Sequence, residues 1–181
     1  MNLVYVFCAD GFEEVEGLTA VDLLRRAEFE VKTVSIMGQK QVTGSHQITI
    51  ETDMLFEDIK EEADLLVLPG GLPGTNYLRK HEGLEELLKK QYEREGWIAA
   101  ICAAPSVFAG LGFLKGRKAT SYPGCVDSTE CGCYVEESVA VDGHVITSRG
   151  VGTAIDFALR LIEELKGKEK ADQIASSILY R

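Results

Sequence analysis

A buried strand runs directly into a helix in the stretch Trp97-Ile98-Ala99-Ala100-Ile101-Cys102-Ala103-Ala104-Pro105. The residues up to Ala104 are apolar without alternation, which is typical of a strand buried on both faces of a parallel sheet. Pro105 suits the first turn of the following helix, because the N–H that proline lacks is not needed there. Cys102 then lies at the corner between strand and helix. Its small neighbours Ala100 and Ala104 leave room for the sharp turn of a nucleophile elbow.

Strand-like and helix-like segments alternate on either side of this stretch. The predicted strands cover residues 3–7, 30–36, 63–68 and 97–101, and the predicted helices cover 15–27, 84–92, 106–111, 151–165 and 169–179. Residues 41–50 and 138–147 each predict a small antiparallel hairpin, the second with Asp142-Gly143 as its turn. The pattern predicts a single α/β domain over residues 1–181, with a doubly wound, mostly parallel sheet and helices on both faces.

Composition and charge argue against several classes of partner. The 181-residue chain carries 19 Lys and Arg against 29 Asp and Glu, which gives a net charge of −10. Nucleic acids and anionic membranes both select for clustered basic residues, so neither is an expected partner. The longest apolar run, residues 97–104, is too short to span a bilayer. The N-terminal segment lacks the basic region of an export signal, which predicts a cytoplasmic protein with reduced cysteines.

Cys102 is the candidate nucleophile. A helix N-terminus favours thiolate through its dipole and free N–H groups, which predicts a lowered thiol pKa. Gly70 and Gly71 follow a predicted strand, and their N–H groups are candidate donors to an oxyanion beside the thiol. The simpler alternatives are an inert buried cysteine and a tight turn that needs glycine. Neither G-x-G-x-x-G nor G-x-x-x-x-G-K-[ST] occurs, so no nucleotide cofactor is predicted.

Three acidic residues, Glu13, Glu14 and Glu16, stand at the start of the first helix. Acids in a first turn suit the helix dipole, so a solvated helix end explains them. If one of them instead faces Cys102, burial and the neighbouring thiolate raise the pKa of that carboxyl. Once protonated, it can donate a hydrogen bond to the sulfur.

These segments together resemble the ThiJ/PfpI superfamily, and most closely the branch of the parkinsonism-associated protein deglycase and its bacterial relatives. The resemblance covers essentially the whole chain. It is carried by residues 11–16 (Gly-Phe-Glu-Glu-Val-Glu), 21–27, 68–71 (Leu-Pro-Gly-Gly), 98–105 and 147–153.

The resemblance implies a flavodoxin-like fold and a homodimer. It implies that Cys102 is an oxidation-sensitive nucleophile and that Glu16 is the acid that hydrogen-bonds its sulfur. The backbone amides of Gly71 and Ala103 match those that bind oxyanions beside the thiol. Arg26 matches an arginine at the dimer interface near the site.

The sequence departs from its relatives at the positions where a histidine lies near the cysteine. In one branch this histidine precedes Pro123, where this chain has Tyr122, and in the protease-like branch it follows the cysteine, where this chain has Ala103. The three histidines, His46, His81 and His144, are expected at the surface. Because thiol proteases need an imidazole partner, a protease is not expected.

The remaining cysteines have separate interpretations. Cys125, Cys131 and Cys133 are possible resolving thiols for a Cys102 sulfenate, because their loop is expected near the elbow. Three thiolates can also hold a soft metal, but without a nearby histidine or fourth cysteine no metal site is predicted. Cys8 is expected to pack in the core.

Two functions remain open at this point. The first is an enzyme for reactive carbonyls such as methylglyoxal or their early protein adducts, in which Cys102 adds to the aldehyde and Glu16 moves a proton. The expected product is a hydroxy acid such as lactate, formed without a cofactor. The second is a non-enzymatic oxidative-stress sensor or chaperone that uses Cys102 sulfinate. An association with thiazole or thiamine metabolism is suggested by the superfamily name alone.

Overall fold

The computed structural model describes residues 3–180, which form strands and helices in alternation. The strands are β1 (Leu3–Cys8), β2 (Glu30–Ser35), β3 (Gln41–Thr43), β4 (Thr49–Glu51), β5 (Met54–Leu55), β6 (Leu65–Leu68), β7 (Trp97–Ile101), β8 (Lys118–Ala119), β9 (Cys133–Tyr134), β10 (Val139–Asp142) and β11 (Val145–Ser148). The helices are α1 (Glu14–Arg26), α2 (Gly74–Lys80), α3 (Glu82–Glu93), α4 (Pro105–Gly110), α5 (Ala154–Lys166) and α6 (Lys168–Ser177), with short 3₁₀ turns at Phe56–Asp58 and Val151–Thr153.

Seven strands form the central sheet in the spatial order β10-β11-β7-β6-β1-β2-β5. All neighbouring pairs are parallel except β10 and β11, which form an antiparallel hairpin at one edge. This arrangement confirms the predicted flavodoxin-like, doubly wound fold. The carboxyl ends of β1, β6, β7 and β11 are adjacent at one edge, and ligands of such sheets bind there.

The core lies on both faces of the sheet, because successive side chains of each strand point in opposite directions. Leu3, Tyr5 and Phe7 of β1 pack with α3 and α4 on one face. Val4 and Val6 pack with α1, α5 and α6 on the other. Each fully buried large apolar side chain contributes about 1.5–3 kcal/mol. The sheet is therefore a rigid base for the loops at its carboxyl edge.

Most predicted elements are present, with shifts of one to three residues at their ends. The hairpin turn is a correction: Asp142 pairs with Val145, so the turn is Gly143-His144 rather than Asp142-Gly143. Asp142 stays in the strand because its carboxylate accepts the Lys118 N–H at 2.8 Å. Helix α2, which is short and follows Pro73, was not predicted from the sequence, and neither were the two-residue strands β5, β8 and β9.

Within residues 3–180, no helix combines the length and apolar character needed to cross a bilayer.

Candidate active site

Cys102 occupies the predicted corner between β7 and α4. Its φ is +64°, in the left-handed region that residues with a side chain rarely adopt. Two backbone hydrogen bonds hold it there: its N–H donates to the Ser148 carbonyl at 3.0 Å, and its carbonyl accepts the Tyr122 N–H at 2.8 Å. Backbone strain of this kind persists where surrounding contacts enforce it. The elbow thus presents a half-buried thiol at the carboxyl edge of the sheet.

Glu16 lies on the first turn of α1 and is 1% exposed. Its Oε2 accepts the Gly70 N–H at 3.0 Å, while its Oε1 is buried without a hydrogen-bond partner among residues 3–180. Burial raises the pKa of Glu16 to about 7, although the Cys102 thiol and the Gly70 N–H act in the opposite direction. The carboxyl therefore gains and loses its proton near neutral pH.

The pKa of the Cys102 thiol is not lowered, although a lowered pKa was expected for a cysteine at a helix N-terminus. Burial, together with the adjacent Glu16 carboxylate, raises the pKa of Cys102 to about 12. N–H groups of Gly71 and Ala103 favour the thiolate but do not outweigh these two effects. The correction has a physical reason: a carboxylate beside a buried thiol opposes a second negative charge. Cys102 and Glu16 consequently titrate as a coupled pair.

Gly70 brings the two reactive groups together by having no side chain. A Cβ at this position would lie 2.5 Å from Cys102 Cβ and 2.6 Å from Glu16 Oε2. Its assignment as an oxyanion-binding residue needs correction, because its N–H is already donated to Glu16. Gly71 and Ala103 remain the candidate oxyanion donors, since their N–H groups act on the Cys102 sulfur.

A cavity of about 450 Å³ opens in front of this pair. It is lined by Glu13, Glu16, Gly71, Cys102, Tyr122, Pro123, Arg149, Gly150, Val151, Gly152 and Thr153. Residues 147–153 carry part of the family resemblance, but no site residue was predicted among them. The position of this loop beside the elbow was the available signal, because β11 and β7 are neighbours in the sheet.

Tyr122 flanks the cavity, as predicted, and is 55% exposed. Its ring lies over Gly150, where an added Cβ would be 3.6 Å from the ring. Arg149 is the one Lys or Arg among the lining residues. It donates to the Ser121 carbonyl at 3.4 Å and lies 3.8 Å from the Glu136 carboxylate. The cavity lining therefore includes an aromatic ring and one cationic side chain.

Several residues assigned from the sequence do not line this cavity. Arg26 is exposed on α1 and pairs with Asp22 at 2.8 Å. Cys125 is half-buried, Cys131 is buried and Cys133 is exposed, and all three are free thiols. The Cys125 N–H donates to the Tyr122 carbonyl at 3.0 Å, in the segment that adjoins the elbow, and a resolving role for these thiols stays a prediction. Cys8 is buried, as expected.

Within residues 3–180, none of the three histidines is among the residues that line the Cys102 cavity. His46 is exposed and contacts Glu14. His81 caps α3 by accepting the Leu84 N–H at 3.0 Å. His144 corrects the expectation of a surface residue, because it is half-buried against the Tyr92 ring and burial lowers its pKa.

Comparison with known proteins gives consistent results. The DJ-1/PfpI family pattern matches residues 2–164. The chain is 42% identical to "Protein DJ-1 homolog A" of Arabidopsis thaliana over 98% of its own length, but it spans only 46% of that relative. It is 34% identical to "Glutathione-independent glyoxalase DJR-1.2" of Caenorhabditis elegans, covering 90% of this chain and 87% of the relative. The solved structure of oxidized Toxoplasma gondii DJ-1 matches with a TM-score of 0.94 at 36% identity, covering 99% of both chains.

Proposed function

Because the chain belongs to the DJ-1/PfpI family, we propose that it converts small reactive carbonyl compounds to hydroxy acids through Cys102 and Glu16. A relative named as a glutathione-independent glyoxalase supports this class of reaction. The observation that carries the proposal is the buried carboxyl of Glu16 beside the Cys102 thiol, with a pKa raised to about 7. A group that exchanges its proton near neutral pH suits general acid–base catalysis.

The proposed reaction on methylglyoxal begins when the Cys102 sulfur adds to the aldehyde carbon. The thiol proton passes to the new alkoxide oxygen, which gives a hemithioacetal. Gly71 and Ala103 N–H groups lie where they can stabilise the developing oxyanion.

Glu16 then removes the proton from the former aldehyde carbon and delivers a proton to the neighbouring carbon, while the hydroxyl proton of the hemithioacetal passes to the former ketone oxygen. The aldehyde carbon is oxidised and the ketone carbon is reduced, so no external oxidant is needed. The product at this stage is a thioester on Cys102. Water hydrolyses the thioester to lactate and restores the thiol, which balances the reaction as methylglyoxal plus water to lactate.

Lactate formation from methylglyoxal tests this proposal. We expect Cys102→Ser and Glu16→Gln each to lower kcat/KM by roughly 10²–10⁴-fold, the usual contribution of such groups. Cys125→Ser is the matched control, because this half-buried thiol lies outside the cavity, and it should keep the wild-type rate. Equal rates in wild type and Cys102→Ser would contradict the assignment.

A second candidate function is sensing of peroxide by oxidation of Cys102 to the sulfinate. The N–H groups that act on the sulfur and the adjacent Glu16 carboxyl favour it, since all can hydrogen-bond to sulfinate oxygens. One thiol consumes two peroxide molecules and releases two waters. Intact-protein mass spectrometry under graded peroxide should show addition of two oxygens, and Cys102→Ser should not. A wild-type Cys102 that resists this addition excludes the sensor.

We also propose, from the family resemblance, that this chain forms a homodimer. Val15 and Leu18 of α1 and Val151 and Ile155 after β11 are exposed apolar residues, and Leu18 and Ile155 line the same surface groove. Apolar side chains clustered at a surface favour association with another protein surface. Residues beside the Cys102 cavity would then adjoin the partner protomer.

A further inference from the structure

We propose that Glu13, Glu14 and His46 form a binding site for a divalent transition-metal ion of the Zn²⁺ type. The carboxylates come from the start of α1, and the imidazole comes from the turn between β3 and β4. Their candidate ligand atoms all lie within 4.8 Å of one another. The site borders the Cys102 cavity through Glu13 but includes neither Cys102 nor Glu16.

The two segments are held together by the backbone. The Ser45 N–H donates to the Phe12 carbonyl at 2.9 Å, and the His46 N–H donates to Glu14 Oε1 at 2.7 Å. Gly44 packs so closely against the Glu14 side chain that no Cβ fits there. Glu14 Oε1 is thereby occupied, and Oε2 points toward the imidazole. The ligand set is preorganised by contacts that do not depend on a metal.

Among four polar atoms of this cluster, five of the six mutual distances are those expected between the ligands of a tetrahedral metal ion. His46 Nδ1 lies 3.0 Å from Glu14 Oε2 and 3.4 Å from Glu13 Oε2. The Ser45 hydroxyl oxygen lies 3.1 Å from His46 Nδ1, 3.2 Å from Glu13 Oε2 and 3.3 Å from Glu14 Oε2. These are five of the six edges of a tetrahedron. A tetrahedron with edges of about 3.2 Å has its centre about 2.0 Å from each vertex, which is the length of Zn–N and Zn–O bonds.

The negative charge of the two carboxylates is a second observation that favours a bound cation. The side chain of Glu14 is 5% exposed and that of Glu13 is 12% exposed. Within residues 3–180, neither carboxylate forms an ion pair with a lysine or arginine, and His46 is their one partner of that kind. Buried carboxylates are normally paired or coordinate a metal. A divalent ion would offset both negative charges, which a single imidazole does not.

The ligand chemistry selects the kind of ion. One imidazole nitrogen and two carboxylate oxygens in tetrahedral spacing suit Zn²⁺ or Co²⁺. Mg²⁺ and Ca²⁺ prefer oxygen ligands alone, so the imidazole nitrogen favours the transition-metal ion. The Ser45 hydroxyl is a weak, neutral group at the fourth vertex, so a solvent water is expected to replace it. No spacing motif marks the site in the sequence, because His46 and Glu14 are 32 residues apart.

Titration of metal-stripped protein with ZnCl₂ tests the site, with Kd measured by calorimetry. We expect His46→Ala and Glu13→Gln each to raise Kd at least tenfold. The exposed acid variant Glu62→Gln is the matched control and should leave Kd unchanged. Thermal melts of the metal-free proteins check that each variant is folded. Binding weaker than about 1 mM in wild type, or a wild-type Kd in His46→Ala, overturns the proposal.

A cobalt spectrum separates this site from metal bound by cysteines. Co²⁺ should produce the visible bands of a tetrahedral complex without the near-ultraviolet charge-transfer band of a thiolate ligand. Cys102→Ser should keep both the spectrum and the zinc Kd. A thiolate band, or loss of binding in Cys102→Ser, would place the metal on sulfur and reject the His46 site. The zinc Kd and the cobalt spectrum do not depend on carbonyl turnover. The metal site can therefore be tested whether or not the proposed function is correct.

Discussion

At the scale of single residues, the reactivity of Cys102 depends on neighbours with opposite effects on its thiolate. The N–H groups of Gly71 and Ala103 favour the thiolate, whereas the Glu16 carboxylate opposes it. The pKa of both members of the pair is raised, Glu16 to about 7 and Cys102 to about 12. The carboxyl is thus the member that exchanges a proton in the physiological range, while the thiol supplies the nucleophile.

Gly70→Ala tests the close approach of the pair. The added methyl group would lie 2.5 Å from Cys102 Cβ, so the elbow or α1 must shift. Forced overpacking of this kind costs about 1–3 kcal/mol of unfolding free energy, and we expect at least a tenfold loss of lactate formation. Gly110→Ala is the control, because nothing lies within 4 Å of an added Cβ there. If Gly70→Ala kept wild-type activity and stability, the close approach of Cys102 and Glu16 at Gly70 would not matter for either property.

The raised pKa of Glu16 predicts how stability depends on pH. Its carboxyl has a pKa of about 7 in the fold against 4.5 in the unfolded chain. Because the folded state holds this proton more tightly, its contribution is fully present below pH 4.5 and is lost as pH rises through 7. The loss is about 1.4 kcal/mol per pH unit within that window.

Glu16→Gln removes this titration. Urea unfolding of both proteins between pH 4.5 and 8, with EDTA present, should show wild type losing stability relative to Glu16→Gln as pH rises. A difference between the two proteins that does not change with pH would mean that Glu16 ionises normally.

At the scale of elements, polar side chains hold loops against neighbouring strands. Asp53 precedes β5 and accepts the Thr33 N–H and hydroxyl of β2 at 2.7 and 2.8 Å. Arg25 of α1 also donates to it at 2.7 Å. Burial opposes ionisation of Asp53, but the Thr33 hydrogen bonds and the Arg25 charge outweigh it and lower the pKa. One carboxylate therefore connects a helix, an inner strand and the edge strand.

Asp53→Asn should destabilise the fold by about 1–3 kcal/mol, since it weakens hydrogen bonds to a charged acceptor. Glu30→Gln is the control, because its exposed pair with Lys32 should contribute less than about 1 kcal/mol. Urea denaturation midpoints at constant m-value provide the measurement. Equal midpoints for Asp53→Asn and wild type would exclude the fastening role.

At the scale of the whole molecule, the sheet order brings four loops to one edge. The loops after β1, β6, β7 and β11 are far apart in the chain, yet these strands are neighbours in space. Helix α1 begins at the end of the first of these loops, and its exposed apolar residues Val15 and Leu18 lie in its first two turns. The proposed reaction centre and the proposed dimer contact are therefore parts of one surface.

Leu18→Lys tests the dimer. A charge within the apolar contact should shift the molar mass measured by light scattering from two chains to one. Tyr77→Lys places the same charge on an exposed aromatic of α2 and should leave the mass unchanged. A wild-type protein that elutes as a single chain at high micromolar concentration would refute the dimer itself.

Local pattern was sufficient to predict much of this molecule. The apolar runs at 63–68 and 97–101 predicted buried strands, and the small residues around Cys102 predicted the elbow, because both depend on neighbours in the chain. Helix α2 and strands β5, β8 and β9 were missed, since each is too short to show a period.

The sequence by itself thus determined the α/β alternation, the candidate nucleophile and the loops at the carboxyl edge. Tertiary structure alone decided the protonation of the pair and the use of the Gly70 N–H, which reaches Glu16 across 54 residues. It also brought His46 to Glu13 and Glu14. A pKa and a ligand set depend on burial and on groups that meet in space, and neither is encoded in local spacing.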